Sequence, residues 1–197
     1  MAEGAINRAV QEREVKELEL DDLVPLGLRN ATAPTLLFGS HARGDARPGS
    51  DIDVLQLSTR GHAYSTGKLS VTGYRARDLL AMAHRGSLFV LHLRTDAKLL
   101  HDVGGQLAAT LSAWQPPPSY DRLHRAVFAV SGALAVSEGE FSSNALGFIR
   151  LATFLARTEL YARCAARSKP EFCTTRAAAR CGVSEVGPCL LYTSRCV

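Results

Sequence analysis

The segment Leu37 to Val54, LFGSHARGDARPGSDIDV, constrains this chain more than any other stretch of it. The apolar run Thr35-Leu36-Leu37-Phe38 stops abruptly at Gly39-Ser40. A polar, glycine-containing stretch, HARGDARPGS, then leads into Asp51 to Leu57, DIDVLQL. Two short strands joined through a tight turn fit this pattern. Side chains two apart on a strand share a face, so Asp51 and Asp53 converge while Ile52 turns towards the core.

Each of these residue types has a physical use. Gly39 lets backbone come close to a ligand, and the short helix expected after it starts with unpaired N–H groups that suit an anion. Ser40 adds a hydroxyl donor, Gly44 permits a second tight turn, and Arg43 can either reach a phosphate or pin the loop. Two convergent carboxylates repel each other unless a cation sits between them. Oxygen donors of this kind suit Mg²⁺ or Mn²⁺, which also accept phosphate oxygens. A phosphate cradle beside such a pair is a device for phosphoryl or nucleotidyl transfer.

Gly39, Ser40, Arg43, Gly44, Ser50, Asp51 and Asp53 stand at the spacing of a known signature, and over about residues 34 to 102 the chain resembles the polymerase-beta-like nucleotidyltransferase superfamily. The resemblance implies an α/β fold of the α+β type: a small mixed sheet flanked by helices, followed by an α-helical domain. It also implies that Gly39 and Ser40, with Arg43, Gly44 and Ser50, hold an NTP such as ATP. Asp51 and Asp53 would be the catalytic, metal-binding pair. The reaction would move a nucleoside monophosphate to an acceptor hydroxyl on a small molecule, protein or RNA. One feature departs from the signature. Active members usually carry a third carboxylate on the next strand, where KLSVTGY offers Ser70, or Thr72 in a shifted register, and neither is an ionised base. Asp78, Asp96 and Asp102 are the remaining candidates. The alternative is a nucleotide-binding module, or an antitoxin-like module acting on a partner protein, that kept the fold and lost turnover.

The rest of the sequence sets the frame. With 197 residues, 46% hydrophobic and 21% charged, a mostly disordered chain and a coiled coil are excluded. The longest apolar stretch, Ala126 to Val136, is broken by Ser131-Gly132 and too short to span a membrane, so no membrane partner is expected. The opening residues lack a secretory pattern, and the five cysteines, all in the last quarter, form no CxxC pair; a cytoplasmic location with free thiols is expected. A net charge of +4 is mild and shows no dense basic face with interleaved aromatics.

The expected organisation is a nucleotidyltransferase domain over 1–114 with an N-terminal amphipathic helix near Ile6 to Leu20. A short helix from Asp21-Asp22 through Leu26 should follow it. Residues 58–67 should form a loop, Lys68 to Tyr74 a strand, Arg77 to Ala83 and Leu88 to Leu93 helices, and Lys98 to Asp102 a strand. Gln115-Pro116-Pro117-Pro118-Ser119 should be an extended linker over 115–119. A helical annex over 120–187, read as truncated, should hold two long helices, Tyr120 to about Ser137 and Asn144 to about Ser168. Residues 188–197 read as a non-native tail. Blander readings compete for several residues. Gly39-Ser40 alone could be a plain turn with a serine cap. His84 and His92 on apolar helical segments suit packing better than catalysis. Asp45, Arg47 and Pro48 read as loop filling. Arg150, Arg157, Arg163 and Arg167 read as a solvated face from which Arg150 could touch an acceptor.

Overall fold

A computed structural model describes residues 18–134 and 138–183. The N-terminal helix expected from Ile6, its last three residues apart, and the tail over 188–197 lie outside them. Five strands form one mixed sheet: β1 (Thr35–Phe38), β2 (Ile52–Leu57), β3 (Tyr64–Thr66), β4 (Leu69–Tyr74) and β5 (Lys98–His101), in the spatial order β3-β4-β2-β1-β5. β1 runs antiparallel to both β2 and β5, β2 runs parallel to β4, and β3 is antiparallel to β4. The mixed α/β architecture expected from the resemblance is therefore present.

Alternation along the central strands sorts their side chains onto two buried faces. Leu37, Ile52, Val54, Leu69 and Val71 pack on one face with Leu23 and Ala42. These two residues come from the short helices α1 (Leu20–Leu23) and α2 (Gly39–Arg43). Leu36, Leu55 and Leu57 pack on the other face with Leu79, Val90 and Leu107. The last three are supplied by α3 (Ala76–His84), α4 (Leu88–Asp96) and α5 (Gln106–Ser112). Gln56 is the buried polar residue of β2. Its amide donates to the Asn30 carbonyl at 2.6 Å and to Thr35 Oγ1 at 2.9 Å, which satisfies it.

Several expectations need correction. The loop over 58–67 contains β3, which forms a hairpin with β4 around Gly67. Residues 58–63 cross the end of β4 so closely that a Cβ on Gly73 would run into the His62 carbonyl oxygen; a strand of three residues in a polar stretch has too little periodicity to be seen. The helix from Asp21-Asp22 ends at Leu23, before Pro25. The proline stretch is docked rather than a free spacer: the Gln115 N–H donates to the Ala83 carbonyl, and Pro117 fills the space a side chain on Gly86 would need.

Beyond it come α6 (Asp121–Ser131), a 3-10 turn (Gly132–Leu134), α7 (Glu138–Ser143), α8 (Ala145–Ala166) and α9 (Thr174–Arg180). The first long helix therefore stops at Ser131, at the Ser-Gly pair. The second falls almost where its apolar steps put it, whereas α5, α7 and α9 are too short to show a period. α8 and α9 pack through Leu160, Cys164, Ala177 and Ala178.

Candidate active site

The site is built where β1 ends and β2 begins. Phe38 pairs with Asp53 in the β1–β2 register, so the residue after Phe38 must lie against the Asp53 side chain. That residue is Gly39, with φ +74°, and a Cβ built on it would fall 2.6 Å from Asp53 Oδ2. Only glycine meets both conditions, a left-handed backbone and a carboxylate in contact with it. The chain enters α2 directly, and Gly44, at φ +76°, closes that helix with its N–H on the His41 and Ser40 carbonyls. Ser50 ends the loop that delivers Asp51; its hydroxyl accepts the Arg47 N–H at 2.9 Å.

Asp51 and Asp53 flank Ile52, whose side chain packs into the core. Burial, and then the negative charge of Asp51, push the Asp53 carboxyl up to about 6, and His92, His41 and Arg43 only partly offset this. An oxygen-donor pair in which one carboxylate raises the other suits a divalent cation. Among the described residues no group of three or more His, Cys, Asp or Glu assembles as a metal set.

The third-carboxylate question has a geometric answer. In the parallel β2–β4 register Asp53 stands opposite Ser70, the position read from the sequence. The other candidates each have partners of their own. Asp78 pairs with Arg75 on an exposed turn. Asp102 accepts the N–H groups of Leu107 and Ala108 at the start of α5. Asp96 accepts Arg43 Nη1 at 3.1 Å and lies 3.5 Å from His92 Nε2. Burial of Asp96 works against its charge, but the hydrogen bonds from His92 and Arg43 outweigh it and keep this carboxyl below the usual range.

Of the two roles open to Arg43, the structure displays the pinning one. Its guanidinium reaches Asp45 at 3.2 Å as well as Asp96. Asp45, read as loop filling, also receives Arg176 of α9 at 3.2 Å, so the annex is tied to the loop after α2. Glu171 holds the other side of that tie, accepting Arg176 at 3.1 Å and Arg180 at 3.3 Å. Only the four-residue spacing of His92 and Asp96 hints at this long-range network in the sequence. His92 is a packing residue with partners: it stacks on Phe172 with centroids 4.6 Å apart and stands edge-on to Phe38 at 5.9 Å. His84 is exposed at the end of α3.

Residues 29–85 match the family model of the nucleotidyltransferase domain. Over these residues the chain is similar to the nucleotidyltransferase domain, consistent with the polymerase-beta-like kind. The match spans β1 to α3 and ends before α4 and the annex. A search of curated proteins finds no match to the chain. Among the described residues no helix is long and apolar enough to cross a membrane.

Proposed function

We propose that this protein transfers a nucleoside monophosphate from an NTP to an acceptor hydroxyl, with Asp51 and Asp53 as the catalytic pair holding Mg²⁺ (or Mn²⁺). The observation that carries the reading is the contact between Gly39 and Asp53, which brings the phosphate-cradle turn and the acidic strand to one point. A bound divalent ion would supply neutralisation of the triphosphate charge and polarisation of the reacting phosphate. Gly39, having no side chain, would let a triphosphate come close to the backbone beside Asp53, and Ser40, the next residue, would offer its hydroxyl and N–H. Gly44 and Ser50 fix the two ends of the loop between cradle and acids. Arg43, bound to Asp45 and Asp96, adds positive charge beside the site while holding the loop in place.

In the transfer, the acceptor oxygen forms a bond to the α-phosphorus, the bond from that phosphorus to the bridging oxygen breaks, and pyrophosphate leaves. The hydroxyl proton goes to solvent, because Ser70 stands where an ionised base would be needed. The NTP supply would place the protein in the cytoplasm.

Ser70 also favours a second reading, a nucleotide-binding or antitoxin-like module that binds Mg·NTP without turnover. Incubation with Mg²⁺ and each labelled NTP, assayed for pyrophosphate release and for labelling of the protein itself or of a partner, separates the two. Release or labelling supports transfer; binding of Mg·NTP with neither supports the module. The double variant Asp51→Asn/Asp53→Asn should lose metal-dependent nucleotide binding and keep its circular dichroism spectrum. Unchanged nucleotide affinity in that variant refutes the site.

A further inference from the structure

A cavity of about 640 Å³ lies between α4, the docked proline stretch, and α6 and α8 of the annex. Its lining contains Arg85, Arg122 and Arg157 and not one Asp or Glu. Among the described residues none of these three arginines pairs with a carboxylate, and Arg157 Nε is buried without any hydrogen-bond partner. A buried guanidinium N–H left unsatisfied costs stability, and a bound acceptor group would relieve it. The walls between the cations are largely apolar, with the rings of Phe89 and Phe172 among them. Aromatic faces with guanidinium groups around them suit a flat ring that carries negative charge.

None of Gly39, Ser40, Asp51 and Asp53 lines the cavity, yet His92 does. His92 stands against Phe38, the residue before Gly39, and touches Arg43 at 3.4 Å. The cavity therefore borders the proposed site through one side chain without containing it.

We infer that this cavity is the acceptor site and that the acceptor is a small anionic molecule with an aromatic ring, rather than a polycation. The inference rests on the nucleotidyl-transfer reading for the word acceptor; the ligand class rests on the lining alone. An acceptor seated there would be held by Arg122 and Arg157 at its anionic end, leaving its hydroxyl to face His92 and the acidic strand.

The test uses the full chain and two probes of matched size, 1-naphthyl phosphate and 1-naphthylmethylammonium, titrated by calorimetry with and without Mg·ATP. The phosphate should bind at least roughly tenfold tighter than the ammonium, the worth of a charge-assisted hydrogen bond. Arg157→Gln should weaken it by about the same factor. Arg122→Gln, on an exposed face of α6 where folding is not at stake, should weaken it by a smaller factor. Mg·ATP should bind alongside the probe, and Asp53→Asn should leave probe binding intact. Equal or tighter binding of the ammonium, or indifference to both arginine changes, overturns the ligand class. Mutual exclusion with Mg·ATP overturns the acceptor assignment by making the cavity the nucleotide's own seat. Persistent probe binding in a protein that never releases pyrophosphate refutes the transfer reading and leaves the ligand class standing.

Discussion

The sheet and the annex are built on opposite terms. Along β2 only Asp53 is less than fully buried, whereas α6 contains no buried residue at all. Leu36, Val54 and Leu55 are wholly enclosed, while Phe128 and Phe154 of the annex stand largely in solvent. The acidic strand thus sits in a part of the molecule where neighbours on both faces fix the backbone. The arginine-lined cavity sits where long side chains from loosely packed helices set the surface. Rigid backbone suits groups that must converge within fractions of an ångström; an adaptable wall suits recognition.

The largest test of this contrast is truncation inside the sheet. Leu55→Ala should destabilise the protein by about 2–5 kcal/mol, since Leu55 is enclosed between β1, β4 and the α3–α4 layer and its neighbours cannot collapse into the space. Urea unfolding followed by circular dichroism measures it. A loss under about 1 kcal/mol would mean that the sheet is no tighter than the annex.

Next comes Gly39→Ala. A left-handed alanine costs about 1–2 kcal/mol, and its Cβ would also press on Asp53 Oδ2. Metal-dependent nucleotide binding should fall below detection while the sheet survives. A thermodynamic cycle with Asp53→Ala sharpens the claim: with the carboxylate gone only the backbone cost remains, so the two changes should be non-additive. Strict additivity would show that the contact does not matter.

How much of this could be read from sequence follows the same division. β1 and β2 were legible because strands buried on both faces give short apolar runs ended by glycine or polar residues, and β4 because its buried residues alternate. The charge of Asp51 acts on Asp53, in keeping with the strand periodicity that predicts a shared face, and the opposition of Asp53 and Ser70 followed once the resemblance supplied the register. β3 and the short helices α5, α7 and α9 were not legible, because three to seven residues leave no period to detect. The partners of Arg43 were not legible either: Asp96 lies on α4, and Arg176, which shares Asp45 with it, lies on α9. Contacts spanning so much sequence are fixed by packing. Likewise Arg157, and not Arg150, faces the cavity, a choice set by the rotation of α8 against α4 and α6.

Glu171 probes the tie between the two regions. Burial opposes its charge, but hydrogen bonds from Arg176 and the Cys173 N–H, with the charge of Arg180, outweigh that and hold its carboxyl below the ordinary 4.5. A carboxylate with a depressed folded-state pKa stabilises the protein above the unfolded value, and that contribution is lost as pH falls through the folded value. Stability should therefore drop below about pH 4.5, and Glu171→Gln should flatten that acid limb. At neutral pH the variant should be weaker by about 1–2 kcal/mol, leaving two arginines without their shared acceptor. Thermal unfolding across pH for both proteins checks the sign; an acid limb of unchanged slope would place the tie elsewhere.

The smallest effect should come from Phe128→Ser. Its ring is 82% exposed on α6, so replacing it removes little buried surface, and stability should change by no more than about 0.5 kcal/mol. The same change made at a ring that supports the sheet would not be silent. Phe89 packs edge-on against Phe38 at 5.9 Å and closes one wall of the cavity, so Phe89→Ser should cost several times more and weaken naphthyl phosphate binding as well. A measurable loss at Phe128 equal to that at Phe89 would show that the annex carries packing on its outer face and that the division drawn between the two regions is wrong.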